Sequence, residues 1–86
     1  MQRITIDPDP PQAGKALRIC YDFFGSGLTS TMLKIHYVPT SYGTDTVTVS
    51  ESPAGSSCKE ILCPAASSLT IVDGSGVSQD LAAVIT

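Results

Sequence analysis

Between Leu17 and Phe23, large apolar side chains recur at every second position. Leu17, Ile19, Tyr21 and Phe23 occupy one set of positions, and Arg18, Cys20 and Asp22 the other. A helix repeats every 3.6 residues and would spread both sets around its circumference, whereas an extended strand puts them on opposite faces. The segment therefore predicts a strand with one wet and one dry side. The same period returns in Arg3 to Asp7, in Thr31 to Val38 with Leu33, Ile35 and Tyr37 on the dry side, in Asp45 to Glu51, and in Ser68 to Asp73. Breakers separate these runs: Pro8, Pro10 and Pro11 cannot donate to a ladder, and Gly25 to Ser30, Pro39, Gly43 and Ser52 to Ser56 supply loop and turn chemistry. Gly74-Ser75-Gly76 turns the chain into a last strand over Ser78 to Thr86. Cys58 to Cys63 is ambiguous, since its Lys, Glu, Ile and Leu also suit one helical turn; Pro64 ends either element, and a strand is the reading adopted.

Seven short strands in 86 residues leave room for one core, so residues 1–86 are read as a single domain. With neither an amphipathic helical repeat nor an internal sequence repeat, the expected fold is all-β. A seven-stranded antiparallel Greek-key sandwich fits better than a closed barrel. A composition of 42% hydrophobic and 15% charged residues belongs to a folded chain and not a disordered one. The net charge is −3 with five scattered cations, which predicts no nucleic-acid partner, because phosphate binding needs clustered Lys and Arg. No apolar run approaches the ~20 residues of a membrane helix, and no charged start followed by an apolar run marks a signal peptide. The expectation is no membrane insertion, for a chain that is either cytosolic or a mature segment.

The stretch from Ile4 to Ile19 reads Ile-x-Ile-x-Pro-x-Pro-Pro-x-Ala-Gly-Lys-x-Leu-x-Ile, and Leu69 to Asp80 reads Leu-Thr-Ile-Val-Asp-Gly-Ser-Gly-Val-Ser-Gln-Asp. The first resembles the segment joining the first two strands of immunoglobulin-like and fibronectin type III-like modules, and the second is similar to their final hairpin. The resemblance covers nearly the whole chain. It implies an immunoglobulin-like sandwich whose loops Gly25 to Ser30, Ser52 to Ser57 and Gly74 to Ser78 share one pole, with the termini at opposite ends. Those Gly- and Ser-rich loops could hydrogen-bond a sugar or peptide, although hairpin turns need such residues in any case. The chain departs from antibody domains: it has no tryptophan, and its sixth strand carries no cysteine to pair with Cys20.

If Leu33, Ile35, Leu69, Ile71, Leu81, Ala83 and Ile85 face the core, period two places Met32, Val38, Val72, Ala82 and Val84 on the outer face of the sheet made by the third, sixth and seventh strands. Exposed apolar patches mark contact sites, so this face is the predicted interface for a homodimer or a neighbouring domain. The competing reading is that isolated surface Val and Met are ordinary.

Three cysteines allow at most one intrachain bridge. Cys58 with Cys63 is the favoured pair. In a straight strand their Cα atoms would lie roughly 16 Å apart against a bridging limit near 7 Å, so that pairing demands a looped or helical turn. Cys20 paired with either of them, or three free thiols, are the alternatives. A bridge would place the chain in an oxidising, extracellular or cell-surface setting.

A zinc site would need all three cysteines and His36, at an unusual Cys-x4-Cys spacing, and a Cys–His or Ser–His–Asp nucleophile lacks a cleft and a nucleophile elbow. Asp73-Gly74-Ser75-Gly76 has the wrong order for an aspartic protease, no loop has calcium spacing, and no Gly-Lys-Ser/Thr ending completes a phosphate loop. The chain is therefore expected to have no cofactor and no enzymatic activity, and to act as a structural or protein-interaction module of a secreted or surface-associated protein. The alternative is a small carbohydrate-binding, lectin-like protein. Tyr42 is the aromatic placed to stack on a sugar, while Tyr21, Tyr37, Phe23 and Phe24 are expected in the core or as loop anchors.

Overall fold

The computed structural model describes residues 3–86. Its strands are β1 (Ile4–Asp7), β2 (Ala16–Asp22), β3 (Ser30–Val38), β4 (Thr44–Ser50), β5 (Ser56–Leu62), β6 (Ser68–Asp73) and β7 (Leu81–Val84), with one short 3-10 turn at Thr40–Tyr42. They form two antiparallel sheets, a three-stranded one in the order β1-β2-β5 and a four-stranded one in the order β4-β3-β6-β7. The ambiguous fifth segment is extended, and the last strand is shorter than its alternating run suggested.

Alternation holds along the central strands. Residues of β3 are exposed and buried by turns over its whole length, and Leu17, Ile19 and Tyr21 of β2 are fully buried. The core lies between the sheets: Ile4, Leu17, Ile19 and Tyr21 from one meet Leu33, Ile35, Tyr37, Val49, Leu69 and Ile71 from the other. Each fully buried aliphatic or aromatic side chain contributes about 1.5–3 kcal/mol, the main favourable term in so small a domain. Ile85 is also buried, while Leu81 and Ala83 pack on the core from its margin.

Hydrogen bonds between loops fix the two poles. At one, Phe23 N–H donates to Gly55 O (2.8 Å), Glu51 N–H to Thr29 O (2.8 Å) and Gly74 N–H to Met32 O (2.8 Å), which gathers the β2–β3, β4–β5 and β6–β7 loops. At the other, Gly14 N–H donates to Cys63 O (2.8 Å), Ser67 N–H to Val38 O (2.7 Å) and Thr86 N–H to Pro11 O (2.9 Å). The β6–β7 turn is held so close to β3 that a Cβ on Gly74 would sit 2.8 Å from the Met32 carbonyl oxygen.

The disulfide joins Cys20 to Cys58, 38 positions apart, and Cys63 is a buried free thiol. The expected Cys58–Cys63 pairing is therefore corrected. Because β5 runs extended through Cys58, those two residues diverge along the strand, while antiparallel register sets Cys58 directly opposite Cys20 on β2. The bridge lies on the outward face of the three-stranded sheet, the side opposite Ile19 and Tyr21. One step along that face, Arg18 stands between Asp7 on β1 and Glu60 on β5, an alternation of charge across all three strands.

Candidate functional site on the outer face of the four-stranded sheet

Register defines the outward rows of the β4-β3-β6-β7 sheet. At the lower corner Val38, Ser68 and Val84 sit side by side on β3, β6 and β7; the next row is His36, Thr70 and Ala82, and the next Lys34 and Val72. Val38 and Val84 are 55% and 69% exposed, large fractions for aliphatic side chains. Standing two strands apart, they are ~10 Å from each other with the small Ser68 between. That dip opens into a shallow groove of about 210 Å³ bounded by Ser68, Thr70, Ala82 and Val84. β7 is four residues long and forms the edge here, so no strand among the described residues covers the groove from that side.

Of the five predicted interface residues, the fold brings three together at this corner: Val38, Ala82 and Val84. Val72 is half-buried in the row beside Lys34, and Met32, 46% exposed, stands apart at the upper end near Gly74. Lys34 and His36 lie along β3 between Met32 and Val38, so the apolar surface is a corner patch and not a continuous stripe. The His36 ring lies 3.4 Å from the Thr44 hydroxyl on the same outer face.

Phe24 is 76% exposed at the tip of the β2–β3 loop, which corrects its expected place in the core or as a loop anchor. The signal was available in sequence: Phe23 and Phe24 are adjacent, and in an extended chain adjacent residues cannot both point inward. Its backbone is fixed on both sides, its N–H by the Asp22 carboxylate (2.9 Å) and its carbonyl by the Arg3 guanidinium (2.7 Å). Tyr42, 47% exposed, lies on the β3–β4 turn at the opposite pole, so the two exposed aromatics form no common platform.

The other chemically notable group is Asp73, 4% exposed at the end of β6. Its Oδ1 accepts from the Thr31 hydroxyl, the Ser75 N–H (2.9 Å) and the Ser75 hydroxyl (2.7 Å); its Oδ2 accepts from the Tyr21 hydroxyl (2.6 Å) and the Ser78 N–H (3.0 Å). Burial by itself would raise the carboxyl pKa, but donation from Thr31, Tyr21 and Ser75 outweighs it and holds the group well below the usual carboxylate range. An acid that remains ionised and has its oxygens so fully engaged is a poor proton donor near neutrality. Its role is to tie the two sheets together at the upper pole. Burial and the Asp73 hydrogen bond push the Tyr21 phenol up to about 12. Tyr37, which donates to Asp45 Oδ2 (2.6 Å), is raised further, chiefly by burial. Burial also raises the Cys63 thiol, which disfavours the thiolate a nucleophile requires. No known protein family matches the chain, and neither does any curated protein or solved structure.

Proposed function

We propose that this chain is a non-enzymatic protein-contact module that self-associates through the outer face of its four-stranded sheet. The observation that carries the reading is the placing of exposed Val38 and Val84 in one row, on either side of Ser68, beside the groove at the β6–β7 corner that Val84 lines. Two exposed aliphatic side chains beside a dip gain from being covered, at ~25 cal/mol for each Å² of apolar surface removed from water. The strand orders β1-β2-β5 and β4-β3-β6-β7 support the finer assignment to an immunoglobulin-like, fibronectin type III-like Greek-key module. The Cys20–Cys58 bridge supports a secreted or surface-associated setting, where disulfides persist.

Sedimentation across a concentration series tests this reading with the Val38→Glu, Val84→Glu double variant. The wild type is expected to associate more strongly than the variant. Identical behaviour of the two proteins would remove the outer face from the account. A second reading, carbohydrate binding, draws on the exposed Phe24 and Tyr42; saturable hits on a glycan array lost in Tyr42→Ala would favour it over protein contact.

A further inference from the structure

β4 is the free edge of the four-stranded sheet, and the direction of its unpaired backbone groups follows from the ladder on its other side. Thr29 O accepts from Glu51 N–H, while Met32 O and Val38 O accept from Gly74 and Ser67 on the β6 side. Odd-numbered residues of β3 thus direct their amide groups at β4 and even-numbered ones at β6. Since Thr31, Leu33 and Ile35 stand opposite Val49, Val47 and Asp45, the odd-numbered residues of β4 are the ones bound to β3. The N–H and C=O groups of Thr44, Thr46, Thr48 and Ser50 therefore point away from the sheet, and no described residue pairs with them.

The other three edges are blunted. β1 has four residues and runs into Pro8, β7 has four, and β5 carries Lys59 and Glu60, with Lys59 exposed although its register partner Ile19 faces the core. β4 runs for seven residues, Thr-Asp-Thr-Val-Thr-Val-Ser, without proline, lysine or arginine, and its one charge, Asp45, is engaged by the Tyr37 hydroxyl.

That sequence is complementary to itself. About a two-fold axis at Val47, Thr46 stands opposite Thr48 of the partner subunit and Thr44 opposite Ser50 of the partner subunit. These are the residues whose amide groups face outward, so each such pair can exchange both backbone hydrogen bonds. Their hydroxyls fall on the outer face, where Thr–Thr pairs are favourable across strands. Val47 meets the partner's Val47, and Asp45 meets the partner's Val49, which keeps the two carboxylates ~13 Å apart along the strands. We propose that β4 pairs with β4 of a second copy of this chain, giving one continuous eight-stranded sheet.

The proposal shares the reading of a contact module but uses a different surface, so the test begins from the Val38→Glu, Val84→Glu variant, in which the outer face is spoiled. By sedimentation this variant is expected to remain a concentration-dependent dimer. Adding Thr48→Pro removes an outward N–H while leaving the β3–β4 ladder whole, and is expected to weaken dimerisation at least about tenfold. Thr46→Lys with Thr48→Lys serves as a second block if the proline variant unfolds by circular dichroism. A Val38→Glu, Val84→Glu variant that is monomeric at every concentration, or a dimer indifferent to a folded edge block, overturns edge pairing. The outer-face reading fails separately, when wild type and the Val38→Glu, Val84→Glu variant sediment alike.

Discussion

Replacing Asp73 by Asn keeps the shape of the buried side chain and removes its charge. With the amide oxygen at the Oδ1 position, the bonds from Thr31 and from both Ser75 donors survive, weakened by loss of the charge. The amide nitrogen then occupies the Oδ2 position. The Tyr21 hydroxyl can rotate and accept from it, but the Ser78 N–H belongs to the backbone and cannot invert. One backbone donor is left without an acceptor, at ~1–3 kcal/mol, and several charge-assisted bonds become neutral ones, so the expected destabilisation is about 3 kcal/mol. For a domain of this size that corresponds to a fall in Tm of roughly 15 °C. The pH dependence separates charge from shape. Because the folded carboxyl titrates below its unfolded value of ~3.9, its stabilisation is complete above that value and declines as pH falls through the lower, folded one. Urea unfolding followed by circular dichroism, from neutral pH to about pH 2, should show a gap between wild type and Asp73→Asn that narrows on acidification. A gap of constant width across that range would refute the assignment of Asp73 as a buried, ionised tie between the sheets.

Reducing the Cys20–Cys58 bridge releases a loop closed over 38 positions, which should cost about 4 kcal/mol through the unfolded chain; a thermal midpoint that moves by under about 5 °C with reductant would contradict this. Gly74→Ala should destabilise by about 1–3 kcal/mol, because the new methyl meets the Met32 carbonyl, a backbone atom that cannot swing aside; an unchanged midpoint would show that the turn gives way. On the alkaline side the sign reverses. With the Tyr21 phenol raised to about 12 from 10.0, the folded state keeps a proton that the unfolded chain gives up, so stability should decline as pH rises above about 10. Tyr21→Phe should flatten that decline, and a decline of equal steepness in both proteins would place its origin elsewhere.

The sheets were legible because alternation is a backbone property. Leu17 had to share a side of its strand with Ile19, and Leu33 with Ile35, whatever their partners were, and both pairs face the core. Pairing across strands was less legible, since period two assigns a residue to a face and not to a neighbour. Cys20 and Cys58 became partners only when register set them opposite each other, and the same uncertainty split the predicted patch, with Val38 and Val84 in one row and Met32 three rows away. Asp73 was noticed in its Gly-Ser-Gly turn, but its role as a buried tie was not legible, for a related reason. Its five donors come from β2, β3 and its own turn, and the turn composition Gly-Ser-Gly looks the same whether or not it encloses a carboxylate. Phe24 shows the opposite case, in which the alternation rule applied to adjacent aromatics already required one of them to point outward.

The place of the Cys20–Cys58 bridge also governs how the chain yields to tension. A pull between Ile4 and Val84, which lie at opposite poles, can peel β1, β6 and β7 from their neighbours, but the covalent loop that contains β3 and β4 stays closed. At up to ~3.5 Å per residue, the oxidised chain stretches to a contour about 130 Å shorter than the reduced one. The redox state of a single cross-strand pair thus sets the length at which this domain, once unravelled, becomes taut.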